Sequence, residues 1–264
     1  MILKYVKAIT HIILAVVLTI TTQVGGLLYI ICIFSFRRYR WKKYAFFLVS
    51  YLLFTFLLLP LVAPNFGREK IGNNDLIKPQ SLFYVLANRN YVKPEINRII
   101  NEVSSDLNKK FPGVKLVYLD ANFPFFDGFP LLPHLSHNDG KKLDLSLLYE
   151  RDGEVISEKP SRSGYGVYEP PLPSEENQAE ICANAGYWQY DFPKYLSLGR
   201  INRDLEFSEK GTKYLLQQLV KQSEISKIFI EPHLKTRLGI VSSKVRYHGC
   251  RAVRHDDHIH IQIL

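Results

Sequence analysis

Two long uncharged segments open the chain, and shorter alternations of apolar and polar residues follow them. No Asp, Glu, Lys or Arg occurs between Ala8 and Phe36, and a second apolar run covers 44–64. About 20 apolar residues suffice for a helix to cross a bilayer. The pattern therefore predicts a two-helix transmembrane hairpin over residues 1–64, with spans at about 8–36 and 44–64. A cleaved signal peptide is the alternative for the first segment, but the apolar stretch exceeds the usual length of about 7–15 residues.

Residues 65–90 lack a clear period and are rich in Asn, Gly, Lys and Pro, which is typical of a linker. We expect the folded domain to extend from residue 91 to residue 264. Pro94 suits the first turn of a helix, and apolar residues then recur every three or four positions until Pro112 and Gly113 end the pattern. The residues of this stripe are Ile96, Ile99, Ile100, Val103 and Leu107.

The rest of the domain mixes strands with one further helix. Ser208 can cap a helix that carries an apolar stripe. Between Arg151 and Glu180 the chain turns to Gly, Ser, Pro and Glu, which predicts a long surface insertion able to form one wall of a cleft. Because there is no regular βαβ alternation, we expect an α+β fold with a central antiparallel sheet. The strand candidates are 114–120, 141–150, 227–231, 242–248 and 258–263.

The charge of the chain is concentrated beside the two apolar segments. The 264 residues are 47% hydrophobic and carry a formal net charge of +9, and this apolar content argues against a disordered chain. Residues 65–264 are close to neutral, with 27 basic and 25 acidic residues. A nucleic-acid-binding domain would keep its basic excess on the folded part, so we expect no nucleic-acid partner. The basic residues of 1–64, which has no acidic ones, are Lys4, Lys7, Arg37, Arg38, Arg40, Lys42 and Lys43.

The positions of these basic residues predict the orientation of the chain. Five of the seven lie in 37–43, between the two spans, and short loops rich in Lys and Arg stay in the cytoplasm. This rule predicts a multi-pass protein of the cytoplasmic (inner) membrane, with both termini outside the cytoplasm and the C-terminal domain in the periplasm. Lys4 and Lys7 oppose the assignment because they would then face outward.

Two of the three cysteines lie in the part of the chain predicted to be exported. Cys32 falls in the first predicted span, whereas Cys182 and Cys250 follow the linker. A disulfide between Cys182 and Cys250 is permitted outside the cytoplasm. Sequence spacing alone does not establish the geometry that such a bond needs, so two unpaired buried thiols are the alternative.

Six of the eight histidines lie close to carboxylates, in PHLSHNDGKKLDL (133–145) and HGCRAVRHDDHIHI (248–261). His258 and His260 are two residues apart in a predicted strand and therefore share one face. His137 and Asp144 flank a glycine-containing turn and can supply two metal ligands, with a strand histidine as the third. Three protein ligands are typical of a catalytic zinc site. A single histidine is more often structural, so the prediction depends on the grouping.

The carboxylates near these histidines have two interpretations each. Asp256 and Asp257 either accept hydrogen bonds that orient the imidazoles or form a solvated acidic turn. Glu231 either faces the cleft or is an acidic residue at the start of a helix.

The segments SHNDGKKLD (136–144) and HDDHIH (255–260) resemble the penicillin-insensitive murein endopeptidases, within the group of lysostaphin-type, D-alanyl-D-alanine and hedgehog-like zinc peptidases. The similarity covers roughly residues 115–264. The chain departs from the family pattern at Asn138, where Gln is common, and at Lys142, where Asp is common. Contacts with the substrate can therefore differ from those of the family.

The resemblance also implies a role for each histidine of the two motifs. One zinc ion per chain would be bound by His137, Asp144 and His260. His258 would be the catalytic histidine, and His255 and His134 would line the catalytic site.

The activity implied by the resemblance is that of a membrane-anchored zinc metallopeptidase. It would hydrolyse D-amino-acid-containing peptide cross-links in peptidoglycan, with stem peptides and the lipid bilayer as its partners. Within the same class, a D-Ala-D-Ala-type carboxypeptidase or dipeptidase is the alternative. Outside it, the alternatives are a non-catalytic zinc-containing cell-wall binding module and a membrane-tethered assembly factor whose histidines are structural.

Overall fold

The structure, a computed structural model, describes residues 2–36, 38–39, 41–72 and 74–264. Its helices and multi-stranded sheet confirm the predicted α+β class. Arg37 and Arg40, two of the basic residues placed between the predicted spans, lie outside the described residues. The chain divides into two compact units, the first formed by 1–71, 83–94 and 121–140 and the second by 72–82, 95–120 and 141–264.

Helices occur throughout the described residues. They are α1 (Ile2–Thr22), α2 (Gly25–Ser35), α3 (Lys42–Phe66), α4 (Leu82–Leu86), α5 (Pro94–Lys110), α6 (Gln178–Asn184), α7 (Glu209–Lys221) and α8 (Pro232–Arg237). α3 includes a π-helical turn at Phe54–Leu58 and ends in a 3₁₀ turn at Ala63–Phe66. A separate 3₁₀ helix covers Trp188–Leu196.

Strands occur only after α3 in the described part of the chain. They are β1 (Glu69–Lys70), β2 (Ile77–Pro79), β3 (Tyr91–Val92), β4 (Leu116–Tyr118), β5 (Lys142–Ser146), β6 (Tyr149–Arg151), β7 (Glu154–Ile156), β8 (Glu206–Phe207), β9 (Ile225–Phe229), β10 (Val245–Arg246) and β11 (His258–Ile263).

The apolar N-terminal region contains two helices, α1 and α3, that are long and apolar enough to cross a membrane. The first predicted span, 8–36, is divided into α1 and α2 at Gln23, whose φ of 66° lies in the left-handed region. The chain reverses there because Gly26 allows a close approach: a Cβ atom on Gly26 would lie 2.2 Å from the carbonyl oxygen of Ala15. Hydropathy did not predict this division because both helices are uniformly apolar.

Six strands form the main sheet of the second unit, in the order β10-β9-β11-β5-β4-β2. The central pairs β9–β11, β11–β5 and β5–β4 are antiparallel. The edge pairs β10–β9 and β2–β4 are parallel. A central antiparallel sheet is therefore present, with parallel pairs added at both edges.

The two long helices of the second unit form where their apolar stripes predicted them. α5 begins at Pro94, and the five predicted stripe residues are fully buried. α7 begins after Ser208, whose hydroxyl accepts a hydrogen bond from the Gly211 N–H at 3.2 Å. These helices bury the apolar stripes that neither could cover as an isolated helix in water.

Two stretches have more local structure than their sequence patterns predicted. The stretch 65–90, predicted as a linker, contains β1, β2 and α4. The predicted strand 141–150 is divided into β5, which ends at Ser146, and β6, which begins at Tyr149, with Leu147 and Leu148 between them. β6 then pairs with β7 and β8 in a separate three-stranded sheet.

Candidate metal centre

The adjacent antiparallel strands β5 and β11 place a carboxylate opposite an imidazole at the centre of the main sheet. Asp144 on β5 is the direct cross-strand partner of His260 on β11. Side chains of such partners lie on the same face of the sheet, with Cβ atoms about 4.5–5.5 Å apart. His258 is two residues away and shares this face, while Ile259 and Ile261 point into the apolar core and are fully buried.

Asp144 is almost completely buried and contacts two imidazoles and a phenol. Its Oδ1 lies 2.8 Å from Nδ1 of His260 and 3.8 Å from Nε2 of His258. Its Oδ2 accepts a hydrogen bond from the hydroxyl of Tyr165 at 2.7 Å. Both carboxylate oxygens are therefore held in fixed directions.

His137 lies in the loop before β5 and is also buried. Its Nδ1 is 2.8 Å from the carbonyl oxygen of Ala121. A carbonyl only accepts hydrogen bonds, so Nδ1 is the donor of this bond and Nε2 is the ring nitrogen that would act as a metal ligand. The loop ends at Gly140, whose φ of 79° is a conformation that glycine adopts without strain. The ring of His134 lies 5.7 Å from that of His137.

The three residues predicted as metal ligands form one group. One ligand atom each from His137, Asp144 and His260 lies within 4.8 Å of the other two, and all three residues are buried. Burial of a carboxylate is costly unless it is paired or bound to a metal. Two imidazoles and a carboxylate form a donor set that suits zinc and other first-row divalent ions. The group can therefore bind a metal ion.

His258 lies beside this group and is oriented from the opposite side by Asp257. Its Nδ1 contacts the Asp257 carboxylate, and the other carboxylate oxygen of Asp257 accepts a hydrogen bond from the Gly166 N–H at 2.5 Å. Burial lowers the pKa of His258, but Asp144 and Asp257 raise it, and the net result is a pKa above the ordinary value of 6.5. His258 therefore keeps a proton more readily than an ordinary histidine does.

His255 has the opposite electrostatic setting. Its ring centroid lies 4.8 Å from that of His258 and 5.8 Å from that of His260. Burial, with added repulsion from these two histidines, holds the pKa of His255 well below the ordinary value, so the ring is neutral near pH 7. The pKa values of these two neighbouring histidines are thus shifted in opposite directions.

Glu231 supports His255 through the backbone. It immediately precedes α8, but its side chain does not cap that helix. One carboxylate oxygen accepts a hydrogen bond from the His255 N–H at 2.8 Å, and the other accepts one from the Tyr190 hydroxyl. Burial raises the pKa of Glu231 above its ordinary value. The carboxylate therefore fixes the chain just before β11.

The consecutive carboxylates Asp256 and Asp257 are both fully buried and do not form a solvated turn. Asp257 contacts the catalytic candidate His258, as one interpretation predicted. Asp256 instead forms two hydrogen bonds with the guanidinium of Arg254. Of these two consecutive carboxylates, Asp257 therefore orients an imidazole directly and Asp256 does not.

Two further polar side chains of the site come from the predicted insertion. The sequence analysis assigned no functional role to any residue of that insertion. Tyr165 binds Asp144, and its ring lies edge-on to that of His258 at 5.0 Å. The buried Lys159 donates a hydrogen bond to the carbonyl oxygen of Asp257 at 2.5 Å. The available signal was the sequence Gly164-Tyr165-Gly166, because glycines on both sides of a tyrosine indicate an unusual backbone conformation. In the structure both glycines have positive φ angles.

A disulfide joins Cys182 of α6 to Cys250 in the loop before β11. Cys32 is a free thiol buried in α2. The bond connects the chain that follows the insertion to the segment that carries Arg254 and His255. It therefore restrains the segment that leads into the site.

Comparison of the chain with protein-family models finds no match, and comparison with curated proteins finds none either. The resemblance to murein endopeptidases therefore depends on the two histidine motifs, and membership of that family stays a prediction.

Proposed function

We propose that this protein is a membrane-anchored zinc metallopeptidase that hydrolyses D-amino-acid-containing peptide cross-links in peptidoglycan. The observation that carries the proposal is the buried group of His137, Asp144 and His260, with the rings of His255 and His258 beside it. The choice of peptidoglycan as substrate rests on the motif resemblance.

Zinc is the proposed ion, with one bound per chain. A zinc ion in this group would polarise the scissile carbonyl and make water acidic enough to be deprotonated near neutral pH. The protein supplies the orientation of the ligands: Ala121 fixes the ring of His137, and Tyr165 fixes the carboxylate of Asp144. Such supporting hydrogen bonds typically contribute about 10–100-fold to metal affinity or activity.

The two histidines next to the ligands have complementary capacities. A protonated His258 places positive charge beside the ligand group, where it can stabilise the oxyanion formed when a peptide carbonyl is attacked. The neutral His255 can accept a proton. Groups with pKa values shifted in opposite directions are typical of acid and base partners in catalysis.

We further propose that the protein resides in the inner membrane with its C-terminal domain in the periplasm. Two apolar helices are available to cross the bilayer. The Cys182–Cys250 disulfide supports an oxidising compartment for the second unit, because disulfides are rare in the cytosol. Peptidoglycan is accessible from that compartment.

The test is metal analysis and peptidoglycan digestion with the full-length protein in detergent. We expect one zinc per chain and loss of cross-linked muropeptide dimers, read by mass spectrometry. His260→Gln should lose both zinc and hydrolysis. His233→Gln is the matched control, because His233 is equally buried but hydrogen-bonds to the Glu169 carbonyl, away from the ligand group.

The outcomes separate the alternatives. Zinc without cleavage of cross-links would contradict the endopeptidase assignment. Release of D-Ala from stem peptides would then indicate a carboxypeptidase, and its absence would indicate a non-catalytic zinc module. A wild-type protein without stoichiometric zinc would contradict the whole metal-site proposal.

A further inference from the structure

We infer that the N-terminal region enters the bilayer as three helices, each antiparallel to the next, with the start of α1 and the start of α3 on the cytoplasmic side and the chain after α3 on the opposite side. This inference rests on the membrane anchoring proposed above. It differs from a two-span hairpin, which would place the N-terminus on the same side as the C-terminal domain.

The first observation is that α2 runs back along α1. The site of closest approach is Gly26, where a Cβ atom would lie 2.2 Å from the Ala15 carbonyl oxygen. Further along α2, the hydroxyl of Tyr29 lies 2.6 Å from Nδ1 of His11. Residue numbers rise along α2 as their partners' numbers fall along α1, so the two helices are antiparallel.

The second observation is that α3 reverses the direction again. A Cβ atom on Gly25 would lie 3.3 Å from the ring of Tyr51, and the ring of Tyr29 lies 5.4 Å from that of Phe47. These pairs make α2 and α3 antiparallel. α1 and α3 therefore run in the same direction.

A shared hydrogen-bond partner independently aligns α1 with α3. The side-chain amide of Asn88 lies 3.2 Å from the carbonyl oxygen of Thr22, at the end of α1. The same nitrogen lies 3.2 Å from the hydroxyl of Tyr51, in the middle of α3. The C-terminal end of α1 is thus level with the middle of α3.

The parallel direction of α1 and α3 brings the basic residues of the N-terminal region to one end. Lys4 and Lys7 lie in the first turns of α1, and Lys42 and Lys43 begin α3. Arg38 lies in the intervening loop, and the sequence adds two further arginines there. Short segments rich in Lys and Arg stay in the cytoplasm. In the three-helix arrangement, Lys4 and Lys7 lie on the same side as the start of α3 and therefore support a cytoplasmic position for that end. In a two-span hairpin they would lie on the opposite side and would oppose it.

The reversal at Gln23 is compatible with burial in hydrocarbon because the first unit supplies partners for its backbone N–H groups and for the side-chain oxygen of Gln23, while the side-chain nitrogen of Gln23 has no hydrogen-bond partner among the described residues. The Gln23 N–H donates to the Thr19 carbonyl at 2.8 Å, and the Gly25 N–H donates to the Thr22 hydroxyl at 2.8 Å. The side-chain oxygen of Gln23 accepts a hydrogen bond from the Phe125 N–H at 3.0 Å. Irregular backbone is tolerated at membrane depth where protein covers it.

α2 is too short to cross the hydrocarbon core of the bilayer. Its 11 residues make it about 16 Å long, against about 31 Å for α1. The hydrocarbon core is about 30 Å thick, so α2 descends through only part of it. The long basic side chain of Lys42, which is exposed, can extend from this depth toward the cytoplasmic surface.

The test is thiol accessibility in spheroplasts of a bacterial host that express the full chain. Cys32→Ala removes the free thiol and serves as the unlabelled background. One added cysteine is placed at Leu3 and, in a second protein, at Val241; both positions are highly exposed, at 81% and 94%. A membrane-impermeant maleimide should label Val241→Cys in intact spheroplasts and Leu3→Cys only after lysis.

Each other result overturns a specific claim. Labelling of both cysteines in intact spheroplasts would support the two-span hairpin and overturn the three-helix arrangement, leaving the periplasmic domain intact. Labelling of Leu3→Cys alone would reverse the sidedness. Protection of both until lysis would place residue 241 in the cytoplasm, which overturns this inference and the proposed access to peptidoglycan together.

Discussion

The second unit contains two polar clusters, one partly buried and one buried, that balance charge in different ways. The arginine cluster consists of Arg237 on α8 with Glu169 and Glu175 from the insertion. Arg237 Nη1 donates to Glu169 at 2.7 Å, while its Nε and Nη2 donate to the two carboxylate oxygens of Glu175 at 2.9 and 2.5 Å. This cluster carries a permanent cation for its carboxylates.

The histidine–aspartate cluster consists of Asp144, Asp257, His258 and His260. Its carboxylates face imidazoles, whose charge depends on protonation, and the phenol of Tyr165. In a cluster that stabilises a fold, the charges of the side chains neutralise one another without an added ion. In a metal centre, side-chain lone pairs bind a metal ion, which neutralises the negative charge of the ligands. The comparison therefore predicts that changes in the first cluster reduce stability and changes in the second reduce metal binding or activity.

Among the residues of the second cluster that are not proposed ligands, the largest effect is expected for His258→Gln. The variant removes the charge beside the ligand group but leaves the three proposed ligands in place. We expect zinc to be retained and kcat to fall about 10²–10³-fold, the loss typical when one group that stabilises an oxyanion is removed. Metal analysis and steady-state hydrolysis of cross-linked peptidoglycan measure both quantities.

His233→Gln again serves as the control for His258→Gln and should keep full activity. A His258→Gln protein that loses zinc along with activity would show that His258 acts as a ligand, which would change the assignment of the site.

A smaller effect is expected for Asp257→Asn, which keeps a side-chain oxygen near Nδ1 of His258 but removes the charge. Because Asp257 acts through His258, we expect kcat to fall by about 10–100-fold with KM and zinc content unchanged. Asp152→Asn, in the exposed turn between β6 and β7, is the matched control. A change confined to KM would instead indicate that Asp257 positions the substrate.

The residues in and around the histidine–aspartate cluster differ in how far the sequence predicts them. The shared face of His258 and His260 was predictable because a strand places alternate residues on one face, and this local rule needs only a short stretch of sequence. Asp144 was proposed from its position after the glycine-containing turn that follows His137. Tyr165 and Lys159 come from an insertion without periodicity, and Lys159 lies 98 residues before its partner Asp257. Such contacts depend on tertiary structure, which local pattern does not encode.

The N-terminal region shows the same limit for apolar residues. Hydropathy identified the apolar segments, because composition alone determines whether a helix can enter a bilayer. It gave no indication that the chain reverses at Gln23, since α1 and α2 are similarly apolar. The pair Gly25-Gly26 was the available signal, as small residues permit the close helix approach that the reversal requires.

The smallest effect on activity is expected for Glu175→Gln in the arginine cluster. This variant should change stability, in contrast to the variants of the histidine–aspartate cluster, which should change activity. Hydrogen bonding to Arg237 lowers the pKa of Glu175 to about 2, compared with an ordinary value of 4.5. The variant should lose about 1–3 kcal/mol of stability at pH 7, the range for a hydrogen bond to a charged group, with zinc content and kcat unchanged. Glu176→Gln, at the exposed neighbouring position, is the control.

The pH dependence of this difference identifies its source. A carboxyl group whose pKa is lower in the folded state stabilises the protein above its unfolded pKa, and this contribution is lost as the pH falls toward the folded pKa. The stability gap between wild type and Glu175→Gln should therefore be complete above about pH 4.5 and shrink as the pH approaches 2. Urea unfolding of metal-free protein measures the gap without a contribution from zinc release. A gap that stays constant down to pH 2.5 would show that the ion pair with Arg237 is not its cause, and the two clusters would then differ less than their charges imply.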